Sequence, residues 1–219
     1  MYYSLYCINI KVGIVLYRSL KHGFELAILM VLSLFLYASS AHAAAGHQNI
    51  LLTLDEVKAL VDFGEVTLVD ARPYIAYKKN HIKGAVSVPT DETFAKSGRS
   101  DLVASVTQMR GLMSKAGLDE SSKVIIYGDT NLLNISRLFW VFETFGLSDV
   151  AIMNDSLTNW GKHSYPTESG EQSIRSSVIY PTLREGRLAT MLMVYTAMKN
   201  EEESLIDARA AVEYKGEQS

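Results

Sequence analysis

Few residues in this chain are able to do chemistry. There is one cysteine, Cys7, and the five histidines (His22, His42, His47, His81 and His163) show no metal-ligand spacing. No Gly-x-Ser-x-Gly elbow presents a nucleophilic serine, which sets aside a hydrolase. Glu201-Glu-Glu203 reads as a solvated run before a strand rather than a metal site. The densest polar constellation is LVDARPYIAYKKNHIKGAVSVP, residues 68–89, which holds Asp70, Arg72 and His81. An aspartate at the carboxyl end of a strand accepts hydrogen bonds from the turn that follows. An arginine two residues on can pair with an acid, and a histidine can fix a turn through a backbone hydrogen bond. These are architectural roles, so neither a metal nor a cofactor is expected.

The same pattern occurs again at the other end of the chain. LIDARAAVEYK, residues 205–215, repeats Leu, Asp, Ala, Arg, Tyr and Lys of LVDARPYIAYK, residues 68–78. Asp207 and Arg209 stand where Asp70 and Arg72 stand, at an offset of 137 residues, which is the length of a domain rather than of a solenoid repeat. Residues 188–219 are therefore expected to be the truncated start of a second copy.

The elements that must position these residues follow from punctuation. Thr53-Leu-Asp-Glu56 is a capping box that opens the helix LDEVKALVDF, and Gly64 closes it. VTLVD (66–70) and KVIIY (123–127) are apolar, β-branched strands, with GAVSVP (84–89) and DVAIM (149–153) as further strands. DLVASVTQMRGLMSKAG (101–117), with Leu102, Val106, Met109 and Met113 at helical spacing, and ISRLFWVFETFG (135–146) are the intervening helices. Alternating strands and helices predict an α/β domain over 50–165, a mostly parallel sheet covered on both faces. Residues 166–187 read as a polar linker, Thr190–Asn200 as a helix and SLID as a strand.

Length and charge narrow the function. Hydrophobic content of 48% and charged content of 21% describe a globular chain, not a disordered one. A net charge of −3 offers no basic field for nucleic acid. Lys11, Arg18 and Lys21 precede an apolar run, Leu26–Tyr37, and Ala41-His42-Ala43 fits a cleavage site, so residues 1–43 are expected to be a signal peptide and the protein exported, periplasmic or secreted. The run is too short for a comfortable membrane span, so no stable span is expected after cleavage. Cys7 would leave with the signal, removing the only thiol.

Residues 68–89 resemble the signature of rhodanese-type domains through Asp70, Arg72, Tyr77, His81, Ile82, Gly84, Ala85 and Pro89. KVIIYGDTNLLNISRLFWVFETFGLSDVAIMNDSLTNW resembles the first half of the two-domain thiosulfate and 3-mercaptopyruvate sulfurtransferases, through Arg137, Trp140, Gly146, Val150, Leu157 and Trp160. The resemblance implies a three-layer α/β fold. It also implies that the residue leaving the KVIIY strand is, in active members, a cysteine whose thiolate and persulfide are stabilised by converging backbone N–H groups. Here that position is Gly128, followed by Asp129, which disfavours an anion. First domains without the cysteine are what the two-domain family shows, with catalysis in the second copy. Asp70, Arg72, Tyr77, His81, Gly84, Arg137, Trp140 and Trp160 are accordingly expected to be structural, the tryptophans as core anchors, and Asp207 and Arg209 to be their second-copy counterparts. A small sulfur-containing substrate is expected only where a complete second domain is present, and no nucleic-acid partner is expected. A non-catalytic rhodanese-like binding or regulatory module is the alternative. One departure concerns the turn before the last helix, where the family places two glycines and this chain has Asp155-Ser156.

Overall fold

The computed structural model describes residues 49–96, 102–129, 132–200 and 203–217. The expected signal peptide falls outside them. Helix α1 (Leu54–Phe63) begins as its capping box dictates: the Thr53 N–H donates to Glu56 Oε2 at 2.7 Å, and the Glu56 N–H donates to Thr53 Oγ1 at 3.4 Å. Gly64 ends it with φ 69° in open space, so the left-handed backbone, not crowding, requires glycine there.

Five parallel strands form the sheet in the order β1-β6-β5-β2-β4. They are β1 (Leu51–Leu52), β2 (Thr67–Asp70), β4 (Val86–Ser87), β5 (Lys123–Gly128) and β6 (Asp149–Ser156). The KVIIY segment is central, as expected, with β2 on one side and β6 on the other. Because side chains alternate across a strand, β5 serves two cores. Val124 and Ile126 join Met109, Met113, Leu138 and Phe142 on one face, while Ile125 and Tyr127 join Leu54, Val57, Leu157 and Trp160 on the other. Each such aliphatic side chain, fully buried, contributes about 1.5–3 kcal/mol.

The covering helices are α2 (Tyr74–Lys79), α3 (Val106–Lys115), α4 (Leu132–Thr144) and α5 (Leu157–Lys162). Helix α3 starts later than its apolar spacing predicts. Leu102 is exposed, Val103 bridges to Phe94, and Ser105 supplies the cap by accepting the Gln108 N–H at 3.2 Å. Strand β6 runs on through Asp155 and Ser156 with no positive φ at either. Asp155 Oδ1 accepts from the Ser156 N–H at 2.6 Å and from Asn159 Nδ2 at 2.8 Å, so a side chain holds what glycines would otherwise permit.

Residues 166–187, expected as a linker, pack along the domain instead. Strand β7 (Thr167–Glu168) pairs antiparallel with β3 (His81–Ile82). Ile179 is buried in the core, Ser114 Oγ donates to the Ser177 carbonyl at 2.5 Å, and the Arg184 N–H donates to the Thr144 carbonyl at 2.9 Å. Two helix-terminating glycines lie against this strap. A Cβ on Gly117 (φ 72°) would meet Ile174 Cγ2 at 2.9 Å, and one on Gly146 (φ 103°) the Thr182 carbonyl oxygen at 3.0 Å.

Beyond the strap come α6 (Met191–Ala197) and α7 (Ala211–Tyr214). The expected strand SLID is not formed among the described residues. A strand needs a neighbour to take its N–H and C=O groups, and none is paired with this segment.

Candidate functional site

Strands β2 and β5 end side by side, with Asp70 in register with Tyr127. The Asp70 carboxylate is fully buried and clasped by Arg72. The backbone N–H donates at 2.9 Å, Nε at 3.0 Å and Nη2 at 2.7 Å, and Nη2 also donates to the Asn80 carbonyl at 2.6 Å. Burial works against the guanidinium charge, but the Asp70 carboxylate outweighs it, and Arg72 is held above its usual pKa. The Tyr127 hydroxyl accepts the Ile82 N–H at 3.0 Å, and its phenol is pushed far above its ordinary value, first by burial and then by Asp70.

The His81 turn is seated by the same group. Its ring stacks on Tyr77 at 3.9 Å, and Nδ1 lies 2.9 Å from the Tyr77 carbonyl, which can only accept, so Nδ1 is the donor. Nε2 is buried, without a hydrogen-bond partner, 3.5 Å from Glu168 Oε1 on β7. Glu168 also accepts the Gly84 N–H at 2.6 Å, and Tyr77 donates to the Ala85 carbonyl at 2.9 Å. Asp70, Tyr77 and His81 are thus brought together in the interior, with Arg72 part-buried beside Asp70 and the exposed Gly84 tied to them through Glu168.

Arg137, Trp140 and Trp160 lie elsewhere. Trp160 is fully buried and donates from Nε1 to the Pro166 carbonyl at 3.1 Å. Trp140, expected as a core anchor, is only partly buried; its Nε1 donates to the Arg187 carbonyl at 3.3 Å, which ties the strap to α4. The Arg137 guanidinium lies 3.5 Å over the Phe94 ring, and burial lowers its pKa.

Gly128 ends β5, where the sheet opens. A Cβ there would meet Ile135 Cγ1 at 3.1 Å and Cδ1 at 3.3 Å, so the space that a side chain at 128 needs is narrowed by α4. Next to it lies a cleft of about 200 Å³ lined by Asp129, Leu132, Asn154, Asp155, Ser156 and Asn159. Among the described residues that line it, the charged groups are the carboxylates of Asp129 and Asp155, which oppose an anion. Among the described residues no three His, Cys, Asp or Glu side chains converge as metal ligands.

The tail reproduces the clasp without its surroundings. Arg209 donates to Asp207 from the backbone at 2.9 Å, from Nε at 3.0 Å and from Nη2 at 2.6 Å, and these bonds hold the carboxyl pKa down at about 2. Leu68 and Val69, which precede the first clasp, are 3% and 0% exposed; Leu205 and Ile206, which precede the second, are 55% and 88% exposed.

Tyr127, Ile135 and Glu168 were not singled out by motif. Tyr127 was legible only as the last apolar residue of a strand. Ile135 and Glu168 act through packing and cross-strand register, which no spacing in the sequence announces.

A doubly covered parallel sheet with an Asp-x-Arg clasp and a seated His-Ile-x-Gly-Ala turn defines a rhodanese-type α/β domain. The sequence profile of the rhodanese-like domain matches residues 53–163, and the chain belongs to that family. It is 26% identical over 181 residues to the sulfur carrier protein TtuD of Thermus thermophilus, covering 78% of this chain and 61% of that protein. It is 24% identical over 145 residues to the thiosulfate sulfurtransferase of Bos taurus, covering 65% of this chain and 49% of that protein. In structure it is similar to SseA from Escherichia coli, described as a 3-mercaptopyruvate sulfotransferase of rhodanese fold: TM-score 0.70, 22% identity, 78% of this chain and 69% of SseA. The chain spans between about half and 64% of the curated relatives named here or similar to them.

Proposed function

We propose that this chain is the non-catalytic part of an exported sulfurtransferase of the thiosulfate or 3-mercaptopyruvate type, with residues 50–187 serving as a supporting domain. The observation that carries the reading is Gly128. It stands at the end of the central strand, it bears no sulfur, Ile135 crowds the position, and Asp129 and Asp155 line the adjoining cleft. A persulfide needs a thiolate surrounded by donors or positive charge, and the charged groups that the described residues present to the adjoining cleft are the Asp129 and Asp155 carboxylates. The repeated Asp207–Arg209 clasp supports reading the tail as the opening of a second rhodanese-like unit, and sulfur transfer to a thiophilic acceptor requires such a unit to be complete.

The test is thiocyanate formation from thiosulfate and cyanide by the purified chain. No turnover above a heat-inactivated control is expected. Turnover in this chain would overturn the reading. Gly128→Cys is expected to leave the chain inactive, because its Cβ would meet Ile135 Cγ1 at 3.1 Å and the neighbouring Asp129 carboxylate disfavours a thiolate.

A further inference from the structure

The fully buried His81 ring carries a nitrogen that the clasp leaves unused. Among the described residues Nε2 has no hydrogen-bond partner, and it faces Glu168 Oε1 at 3.5 Å. The two residues belong to different parts of the chain. His81 opens the turn after α2, Glu168 lies on the strap, and they are in register across the β3–β7 pair. Nδ1 donates its proton to the Tyr77 carbonyl, so a neutral ring turns a lone pair toward the carboxylate. Glu168 Oε1 is itself committed as an acceptor, from the Gly84 N–H at 2.6 Å and from Gln172 Nε2. Without a proton on Nε2, two acceptors face each other at the edge of the core.

We propose that His81 and Glu168 form a proton-operated latch between the strap and the turn. With a proton taken from solvent onto Nε2, the contact is a charge-assisted interaction that holds β7 against β3. With Nε2 bare it is a repulsion, and the start of the strap loosens. The pairing it secures is short, two residues on each strand, extended by the Lys83 N–H to the Pro166 carbonyl at 3.2 Å. The other ionisable groups packed around the turn have partners of their own. On α2, Lys78 pairs with Glu171 of the strap at 3.1 Å, and the Tyr77 hydroxyl donates to the Ala85 carbonyl. Asp70 on β2 is held by Arg72, Tyr127 on β5 accepts the Ile82 N–H, and Lys162 on α5 donates to Asn159 Oδ1 at 3.0 Å. Lys79 and Lys83, which flank the turn, are exposed. The latched state holds a proton that the released state does not require. Acid therefore favours the latch, and its contribution is lost as pH rises.

The inference is independent of the reading at Gly128 and is tested on the full chain. Amide hydrogen exchange is followed at residues 81–84 and 167–170, each rate divided by its intrinsic value at that pH, with the β5 amides as internal reference. Between about pH 5 and about pH 8, the range in which histidine changes charge, protection of these segments is expected to fall on the order of tenfold relative to β5. Ring-nitrogen NMR of His81 is expected to show Nε2 losing its proton over the same range. Glu168→Gln keeps an acceptor for the Gly84 N–H but removes the charge, so its strap protection is expected to be independent of pH. Strap protection that stays constant with pH in the unaltered chain would overturn the proposal. So would loosening out of step with the His81 ring, or an unchanged pH dependence in Glu168→Gln.

Discussion

One pair of residue types, Asp-x-Arg, occurs twice with nearly the same local geometry and very different surroundings. At Asp70 the carboxylate has no contact with solvent, and Arg72 is its main donor, so removing it leaves a buried guanidinium uncompensated. Asp70→Ala should destabilise the domain by about 3 kcal/mol or more, read from the midpoint of chemical denaturation. Asp207→Ala should leave that midpoint unchanged, because the second clasp lies in solvent and touches no core. The second clasp does carry a pH signature. Its carboxyl pKa in the folded chain is lowered to about 2 from an ordinary 3.8, so the contribution of the Asp207–Arg209 pair is present above pH 3.8 and lost as pH falls toward 2. A carboxyl-carbon NMR titration of Asp207 should show that depressed midpoint, and a midpoint at the ordinary value would show the clasp open in solution.

Helix ends and strand registers place these residues, and two glycines separate conformational demand from crowding. Gly64 and Gly146 both hold positive φ, but only Gly146 has the strap backbone against it, with the Thr182 carbonyl oxygen 3.0 Å from a prospective Cβ. Gly64→Ala should cost about 1 kcal/mol, the price of a left-handed alanine. Gly146→Ala adds a clash with backbone and should cost about 2 kcal/mol or more, measured in the same denaturation experiment. Much of this layer was legible beforehand. The capping box at Thr53, the central KVIIY strand and the aromatic helix after it follow from caps and periodicity. The strap was not legible, because Ile174 is a lone apolar residue in a polar run and only the middle residue of Val178-Ile179-Tyr180 is buried, and it is Gly117 and Gly146, far away in sequence, that make room for it. Helix α3 starts later than Leu102 suggests, because Val103 is paired with Phe94 in an antiparallel bridge closed by the Ala95 N–H to the Leu102 carbonyl and the Ala104 N–H to the Thr93 carbonyl. At the site, the Asp70, Arg72 and His81 unit was visible as a motif. The crowding of Gly128 by Ile135 required coordinates.

At the scale of the molecule, the strap moves the boundary of the folded unit from Tyr165 to about Arg187. Residues 167–187 fill a core position with Ile179, pair β7 with β3, and place Glu168 against both His81 and the Gly84 N–H. The Arg187 guanidinium is 2.8 Å from the Glu143 carboxylate, and Trp140 holds the Arg187 carbonyl, so the attachment persists to the last strap residue. The tail beyond it has exposed Met191, Leu192, Leu205 and Ile206 and, among its described residues, no paired strand, which are the properties of a segment that opens at little cost. Limited proteolysis should therefore cut first between residues 188 and 210 and leave a resistant product ending near Arg187. Truncation after Arg187 should preserve a cooperative unfolding transition at nearly the same midpoint. Truncation after Tyr165 should lower the stability by about 3 kcal/mol or more, since it exposes the Ile179 site and unpairs β3 together. Equal stability of the two truncated chains would show that the strap lies on the domain without supporting it.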